Sequence, residues 1–308
     1  MNRRPARDVA KRGIKWGFEL GQRVGVDVLP RHFYSQIPSV ADLRRRTDWR
    51  VPRTMVGVEG ADLESQAQFV RDTCPPEMVA TTQWTWDRAN AVNGAVGFGP
   101  IEAQFLVCFA ATHKPGRVVQ VGAGVSTAVL LETNTQHQLN AEIVCVDPFP
   151  TDYLRDQAAR GTIELLAQPA QAVPLELFTQ LRAGDMLFVD ATHGVRPDSE
   201  VNRIILEVLP RLAPGVWVHY HDIIWPFDYY THLLTEDLFF WNETVLLQAF
   251  VTGNPRITIK ASLSMLHNGM PEVIASAFPN FDAMHLVDGL AAGGGAHRPS
   301  STYLLTKA

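Results

Sequence analysis

Short apolar runs alternate with longer helical patterns from Gly99 to about residue 222. Each of five runs is four or five residues long and ends at a polar residue or a glycine, which is typical of buried strands. The predicted strands are residues 117–121, 142–146, 163–166, 186–189 and 216–220, and the predicted helices around them are residues 100–113, 125–135, 174–181 and 198–212. Strands that alternate with helices predict right-handed crossovers and a largely parallel sheet that is covered on both faces.

The two ends of the chain depart from this alternation. RITIKA at 256–261 and STYLLT at 301–306 predict two strands with a long loop between them, which suits an antiparallel pair on the sheet edge. At the other end, residues 5–28 predict a basic helix with glycine at every fourth position from Gly13 to Gly25, and an irregular segment follows it. We therefore predict a helical N-terminal extension or cap over residues 1–93 and an α/β domain over residues 94–308.

Charge is distributed unevenly along the 308 residues. Residues 1–50 contain twelve Lys or Arg and five Asp or Glu, a net charge of +7, whereas the other 258 residues carry −12. The total of −5 gives no indication of a nucleic acid partner. The basic, glycine-ridged segment 1–28 leaves two partners open, namely an anionic membrane surface, or a second helix in this chain or in a homodimer.

Sequence features that would indicate another compartment are lacking. The charged N-terminus is not followed by the apolar region of a signal peptide, and no apolar run is long enough to span a bilayer. The three cysteines contain no CxxC pair and lie in or beside apolar runs, as buried reduced thiols do. We expect a cytoplasmic protein, associated with a membrane surface if segment 1–28 binds one.

Polar residues follow the predicted strands at the edge of the sheet where ligands bind in open parallel sheets. Gly122 and Gly124 follow the first strand, and Asp147 follows the second, about 25 residues later. A glycine turn and a carboxylate at this spacing indicate a ligand with a ribose diol. Thr127 stands where a nicotinamide fingerprint has its third glycine, which argues against that cofactor. The fourth strand is followed by Asp190 and His193, and the fifth by His221 and Asp222.

Four segments carry a resemblance to a known family. VVQVGAGVSTAVLL, IVCVDPFP, GDMLFVDATH and LPRLAPGVWVHYHDIIWPFDY resemble successive motifs of class I S-adenosylmethionine-dependent methyltransferases. The resemblance runs from about residue 31 to the C-terminus and is most specific over 99–230, and its last two segments are similar to a bacterial subgroup with D-A-T-H and H-x-H-D-I motifs. It implies a Rossmann-like class I methyltransferase fold, with a mostly parallel sheet, an antiparallel C-terminal edge and S-adenosyl-L-methionine as cofactor.

The resemblance also implies which residues bind the cofactor. Asp147 would bind the ribose hydroxyls, and Gly99 and Glu102 would line the amino-acid end. The full implied set is Gly99, Glu102, Gly122, Gly124, Ser126, Asp147 and Asp190. One departure is that the acidic residue often found after the third strand of the family is replaced by the neutral stretch 167–170, so the contacts to adenine are not assigned.

GDMLFVDATH and VHYHDI are also similar to the metal-dependent catechol O-methyltransferases. This similarity implies that Asp190, His221 and Asp222 bind a divalent metal such as Mg²⁺ and that His193 stands in place of the lysine base. His221 replaces a carboxylate of that family, and a histidine ligand favours Mn²⁺, Fe²⁺ or Zn²⁺ over Mg²⁺, or no metal at all. In the metal-free alternative, His193 or His221 is the base and one of the two aspartates orients it.

The resemblance implies transfer of a methyl group from S-adenosylmethionine to a hydroxyl of a small molecule or sugar, assisted by a divalent metal and by His193 as general base. Two alternatives stay open, which are a metal-dependent oxidative enzyme (a hydroxylase) on the same fold and a non-catalytic membrane-associated binding protein. Four aromatic residues after the fifth strand either line an acceptor pocket or pack in the core. These are Trp225, Phe227, Tyr229 and Tyr230.

Overall fold

The protein is represented by a computed structural model that describes residues 4–95, 97–279 and 298–308, with the backbone alone for residues 4–10. The chain divides into two compact units, residues 1–45 and residues 46–308. The sequence predicts a boundary at residue 93, and the assignment of residues 1–93 as a cap stays a prediction.

The first unit contains two helices, α1 (Arg4–Gln22) and α2 (Val40–Arg45). The sequence predicts a helix that continues to residue 28, and this prediction is too long. The chain leaves the helix after Gln22, where the N–H of Val26 donates to the carbonyl of Gly21 and Gly25 adopts a φ of +78°. Glycine in this left-handed conformation is a common helix terminator because it has no Cβ.

In the second unit, the described residues form a sheet of seven strands. Their order is β3-β2-β1-β4-β5-β7-β6, with β1 to β5 parallel and β7 antiparallel to both of its neighbours. The strands are β1 (Arg117–Val121), β2 (Glu142–Val146), β3 (Glu164–Leu166), β4 (Met186–Val189), β5 (Trp217–Tyr220), β6 (Ile257–Ser262) and β7 (Thr302–Thr306). All seven predicted strands are confirmed to within one residue at either end, as is the predicted mostly parallel α/β fold with an antiparallel C-terminal edge.

Helices cover both faces of this sheet. They are α3 (Leu63–Thr73), α4 (Pro76–Val79), α5 (Thr85–Asn93), α6 (Pro100–His113), α7 (Val125–His137), α8 (Asp152–Ala159), α9 (Glu176–Thr179), α10 (Glu200–Arg203), α11 (Thr231–Thr235), α12 (Glu243–Val251), α13 (Leu263–Gly269) and α14 (Pro271–Ala277). Successive strand residues belong to opposite cores, since Val118 packs into one apolar cluster and Val119 into the other. This two-sided burial explains why the strands read as continuous apolar runs.

Two predicted helices differ from the structure. Residues 174–181 form only the short α9. Within residues 198–212, the Ser199 hydroxyl caps α10 by accepting from the N–H of Asn202. After α10 the chain forms a π-helix over Ile204–Val208 and then a 3₁₀ turn over Leu209–Arg211. The 3₁₀ turn contains Pro210, which has no N–H to continue an α-helical ladder.

Residues 46–93 belong to the second unit. In particular, α3 contacts β6, and the Gln66 side chain accepts a hydrogen bond from the N–H of Ser262 at 2.9 Å and donates one to the carbonyl of Gly60 at 2.8 Å. None of the described helices combines the length and the apolar character needed to cross a bilayer.

Candidate functional site

A cleft of about 270 Å³ opens at the carboxyl ends of β1, β2 and β4. It lies where the strand order reverses on the two sides of β1, which is the usual place for a ligand in an open α/β sheet. Its volume is close to the lower end of the range of about 300–1,000 Å³ that is typical of small-molecule sites. The lining residues are Asn93, Ala95, Gly97, Phe98, Gly122, Ala123, Gly124, Val125, Ser126, Asp147, Thr151 and Asp190.

The turn after β1 fits closely against the end of β4. Gly122 has a φ of +80°, and a Cβ atom on it would lie 1.8 Å from the carbonyl oxygen of Asp190, so no other residue fits there. The Asp147 carboxylate fixes the turn from the opposite side by accepting from the N–H groups of Ala123 at 3.0 Å and Phe149 at 2.7 Å. At this turn the cleft is bordered by the backbone of residues 122–124 and by the Asp147 carboxylate, which suits a ligand that carries a ribose diol.

A buried polar network holds the beginning of α7. The Gln120 amide donates to the Ser126 hydroxyl at 3.1 Å, and its carbonyl oxygen accepts from the Thr127 hydroxyl at 2.8 Å. The Thr127 hydroxyl also accepts from the N–H of Gly124 at 3.2 Å. Thr127 therefore closes the turn by hydrogen bonding instead of by the close packing that a third glycine would allow. The Ser126 hydroxyl faces this network, while the residue borders the cleft.

Gly99 and Glu102 are absent from the described residues that line the cleft. A Cβ on Gly99 would lie 2.0 Å from a carboxylate oxygen of Glu102, which is buried and accepts from the N–H of Ser300 at 2.7 Å. The Ser300 hydroxyl donates to Asp222 at 2.9 Å, so Glu102 is linked to the second cluster described below. Burial raises the pKa of Glu102. Its contact with the amino-acid end of a cofactor stays a prediction.

Four side chains from the ends of β4 and β5 converge beside the cleft. His193 Nε2 lies 3.6 Å from one oxygen each of Asp190 and Asp222, and His221 Nδ1 lies 3.5 and 3.6 Å from the same two oxygens. All four predicted residues are therefore brought together. Since Asp190 also lines the cleft, the cluster and the cleft share a wall.

Among the described residues, Asp190, His193 and Asp222 form a group that could bind a metal ion. One carboxylate oxygen of each aspartate and one ring nitrogen of the histidine lie within 4.8 Å of one another. His221 Nδ1 lies as near to the same two oxygens, at 3.5 and 3.6 Å, so the predicted ligand set of Asp190, His221 and Asp222 stays a prediction. In the loop after β4, His193 adopts a φ of +58°. Two carboxylates and an imidazole fit a divalent cation, with a preference for Mn²⁺, Fe²⁺ or Zn²⁺ over Mg²⁺. His221 Nδ1, a buried atom with no hydrogen-bond partner, points at the same carboxylates.

Glu243, the first residue of α12, contacts His193 on the side of the ring opposite to the two aspartates. Its fully buried carboxylate lies 2.8 Å from His193 Nδ1. The backbone N–H groups of Asn242 and Glu243 both donate to the carbonyl of His193, at 3.0 and 3.1 Å. A non-glycine residue at positive φ carries backbone strain, and these bonds stabilise it. Asp222 has a similar φ of +56°, so strain is found at two members of the cluster.

The electrostatics of the cluster follow from charges that are close together and largely shielded from water. Burial alone would lower the pKa of His193, but the neighbouring carboxylates of Asp190, Glu243 and Asp222 raise it well above its usual value. Burial is likewise outweighed at His221, where Asp222 and Asp190 raise the pKa to about 9. Burial would raise the pKa of Asp190, yet the two histidines hold it far below its usual value. Without a cation, the carboxylates therefore keep both imidazoles protonated.

The aromatic residues after β5 support α12. Trp225 and Tyr229 are buried; the indole N–H of Trp225 donates to the carbonyl of Thr244 at 3.2 Å, and the Tyr229 hydroxyl accepts from the N–H of Thr244 at 3.2 Å. Phe227 is buried as well, so of the two interpretations core packing is confirmed for these three residues. Tyr230 is partly buried, with the Arg298 guanidinium over its ring.

Several residues at this site are not predicted from the sequence. Glu243 is the acidic residue at the start of an otherwise uncharged and mostly apolar helix, and that single charge is the signal that could have identified it. Trp241 lies with its ring centroid 4.4 Å from that of His193. Asn93 lines the cleft and accepts a hydrogen bond from the Thr151 hydroxyl at 3.0 Å, but nothing in its local sequence indicates this position.

Comparison with known proteins finds similarity to a family model and to another protein sequence. A family model described as "Methyltransferase domain" matches residues 119–223. An uncharacterized protein of Archaeoglobus fulgidus is 31% identical over 201 residues, which cover 61% of this chain and 86% of that protein.

Two of the similar solved structures are a methyltransferase and an O-methyltransferase. The S-adenosylhomocysteine-bound methyltransferase PaMTH1 of Podospora anserina has a TM-score of 0.41 and 18% identity, over 78% of this chain and 93% of that one. The O-methyltransferase TomG of Streptomyces achromogenes, in complex with S-adenosylmethionine, has a TM-score of 0.42 and 14% identity, over 75% and 90% of the two chains.

Proposed function

We propose that this chain, which belongs to the class I S-adenosylmethionine-dependent methyltransferases, methylates a hydroxyl oxygen of a small molecule or sugar. The observation that carries the proposal is the position of His193. Its Nδ1 atom is held at 2.8 Å by buried Glu243, and its Nε2 atom faces Asp190 and Asp222 at the wall of the cofactor cleft. A hydroxyl is a weak nucleophile, so its methylation calls for a positioned base at this place.

In the proposed reaction, the cleft binds S-adenosylmethionine as the methyl-donating substrate, with Asp147 accepting hydrogen bonds from the ribose hydroxyls. His193 Nε2 takes the proton of the acceptor hydroxyl. The hydroxyl oxygen forms a bond to the methyl carbon while the carbon–sulfur bond breaks, and the bond electrons stay on the sulfur of S-adenosylhomocysteine. Glu243 stabilises the imidazolium that results and fixes the orientation of the ring.

A base must be neutral before it accepts a proton. The carboxylates around His193 raise its pKa well above the usual value and so favour the protonated imidazole, which cannot act as a base. A divalent cation held by Asp190 and Asp222 would offset these charges, orient the acceptor oxygen and lower the pKa of its hydroxyl. Asp190 and Asp222 are the proposed ligands because both present oxygens to the same point. His221, whose Nδ1 faces these oxygens too, is the proposed third contact.

The proposed reaction is tested with S-adenosylmethionine that carries an isotopic label in its methyl group. Catechol, simple phenols and free sugars are offered as acceptors in the presence of Mn²⁺, Mg²⁺ or Zn²⁺. We expect label in a methyl ether of at least one hydroxylated acceptor. Transfer to the nitrogen of matched anilines, but not to the hydroxyl compounds, would contradict the proposed oxygen acceptor. Oxygen consumption with a hydroxylated product and no label transfer would instead favour a hydroxylase.

Replacement of Asp147 by alanine is expected to weaken the binding of S-adenosylhomocysteine by at least ~1.5 kcal/mol, or about tenfold. This is the scale for loss of a hydrogen bond to a charged group. Isothermal titration calorimetry measures the change. Asp152→Ala, at an exposed acid on the neighbouring helix, is the control and should bind normally. Because Asp147 also holds the N–H of Ala123, the thermal stability of each variant is measured; unchanged affinity in a folded Asp147→Ala protein would remove the assignment.

Replacement of Glu243 by glutamine is expected to lower kcat by about 10- to 100-fold, the usual scale for an orienting partner of a functional histidine. Glu243 is a positioning residue, since it acts through His193. Its negative charge helps to raise the pKa of His193, so its removal lowers that pKa. The neutral imidazole then persists to lower pH, and the acidic limb of the pH–kcat profile should move to lower pH.

The pH profile separates this role from a merely structural one. Glu200→Gln is the control, because Glu200 accepts from the N–H of Thr192 in the same loop without touching the His193 ring. A Glu243→Gln variant that loses activity through unfolding, with an unshifted pH profile in the folded fraction, would show that the carboxylate serves only the packing of α12.

A further inference from the structure

The first unit exposes an unusual concentration of apolar side chains. Ten of the large hydrophobic side chains that are exposed in the described structure lie between residues 14 and 37, against nine in the rest of the chain. Phe33 is 94% exposed and Tyr34 is 82% exposed, next to each other in the segment after α1. Exposed apolar side chains concentrated in one segment indicate an interaction site, whereas scattered single ones are normal.

Helix α1 separates apolar and charged residues around its axis. At helical spacing, Trp16 and Leu20 lie along one border of the glycine row formed by Gly13 and Gly17, while Ile14 lies along the other border. The sector opposite this row carries Lys11, Arg12 and Lys15, together with Glu19, which pairs with Lys15 at 3.5 Å, and the partly buried Phe18. Ile14, Trp16 and Leu20 are 47%, 67% and 45% exposed. Within residues 4–45, and apart from the helix's own backbone, no atom lies within 4 Å of a Cβ built on Gly13 or Gly17.

The charge of this unit indicates what covers the apolar surface. Residues 1–45 contain ten Lys or Arg and four Asp or Glu, a net charge of +6, so two copies that met through α1 would bring like charges together, whereas anionic lipid headgroups would neutralise them. Tryptophan and tyrosine prefer the boundary between headgroups and acyl chains, and lysine and arginine extend from that depth to the water. Trp16, Phe33 and Tyr34 are placed to enter this boundary while Lys11 and Lys15 remain at the surface.

We propose that residues 4–37 dock on an anionic lipid surface, with α1 lying in the plane of the membrane interface. Binding combines the burial of exposed apolar side chains with attraction of the basic sector to anionic headgroups. Docking on lipid does not depend on the proposed methyl transfer, so either proposal can fail while the other holds.

The full-length chain is tested by co-sedimentation with vesicles of phosphatidylcholine alone and with vesicles that also contain phosphatidylserine. We expect binding to the anionic vesicles and little binding to the neutral ones. Binding should weaken strongly between ~0.1 M and ~1 M salt, over which the Debye length falls from about 10 Å to about 3 Å. Equal binding to both kinds of vesicle, or no binding to either, would overturn the proposal.

Two matched pairs of variants locate the contact. Changing Lys11, Arg12 and Lys15 to glutamine should lower the partition coefficient for anionic vesicles about 100-fold, at about fivefold for each basic residue. The control changes three exposed arginines of the second unit, Arg155, Arg160 and Arg182, to glutamine. Trp16→Ser is paired with Trp84→Ser, because the two indoles are 67% and 66% exposed and only Trp16 is on α1. Equal losses within either pair would contradict docking through α1.

Sedimentation velocity measures the mass of the chain with and without residues 1–28. An oligomeric state that the deletion leaves unchanged, together with loss of vesicle binding, supports the lipid proposal. A dimer that becomes a monomer on deletion, with no binding to anionic vesicles by the intact chain, would show that α1 covers a second copy instead.

Discussion

Replacement of His193 by alanine is expected to lower kcat by about 10²- to 10⁴-fold, the usual contribution of a general base. The affinity for S-adenosylhomocysteine should stay unchanged, because His193 is not among the described residues that line the cofactor cleft. Its Nε2 atom faces the oxygens of Asp190 and Asp222, and its Nδ1 atom is fixed by Glu243. Single-turnover kinetics with an acceptor that the wild-type protein methylates measure the loss.

Exogenous imidazole is expected to restore part of the activity of the His193→Ala protein, since it can enter the space that the side chain leaves and accept the same proton. His221→Gln is the companion variant, because the metal-free alternative makes His221 the base. Activity that is unaffected in His193→Ala but lost in His221→Gln would reverse the assignment. Loss of metal affinity in His193→Ala, with no rescue by imidazole, would make His193 a ligand and not the base.

Removal of divalent ions with a chelator is expected to abolish methyl transfer, and Mn²⁺ or Zn²⁺ is expected to restore it more effectively than Mg²⁺. The reason is the donor set, in which imidazole nitrogens lie beside the carboxylates of Asp190 and Asp222. Asp190→Ala and Asp222→Ala should each lose the response to added metal, because either change removes a charged ligand. Methyl transfer is measured over a range of concentrations of each metal.

Protons should be released when the metal binds, because the cation takes the place of protons that the carboxylates hold on the two imidazoles. Calorimetric titration in buffers of different ionisation enthalpy detects this release. Asp198→Asn, at an exposed acid in the same loop, is the control and should keep the full metal response. Full activity after exhaustive chelation would leave the metal-free histidine mechanism in place.

The sequence predicts the two aspartates of the cluster better than it predicts their partners. Asp190 and Asp222 come directly after apolar strands, and the carboxyl ends of parallel strands meet at one edge of the sheet. Their proximity follows from periodicity alone. The role of each histidine does not, because both rings lie 3.5 to 3.6 Å from the two carboxylates and only the contact of His193 with Glu243, from a distant helix, distinguishes them.

The sequence by itself determined the elements and the edge of the sheet where chemistry is expected. The boundaries of β1, β2, β4 and β5 came within one residue because these strands are buried on both faces, so mostly apolar residues continue until the chain reaches solvent. The glycine turn was also readable from the sequence. Only glycine fits at position 122, because a Cβ atom there would lie 1.8 Å from the carbonyl oxygen of Asp190. The apolar runs and the glycine turn are each written in a few consecutive residues, although the contact that requires glycine at position 122 joins the ends of two strands.

Only the tertiary structure decided which distant side chains complete the site. Glu243 reaches His193 across fifty positions of sequence, and Trp225 and Tyr229 pack beneath it to hold the start of α12. Asn93 enters the cleft from a segment that has no strand pattern of its own. Such contacts arise when whole elements pack against each other, and packing selects partners by shape and charge in three dimensions, which local periodicity does not encode.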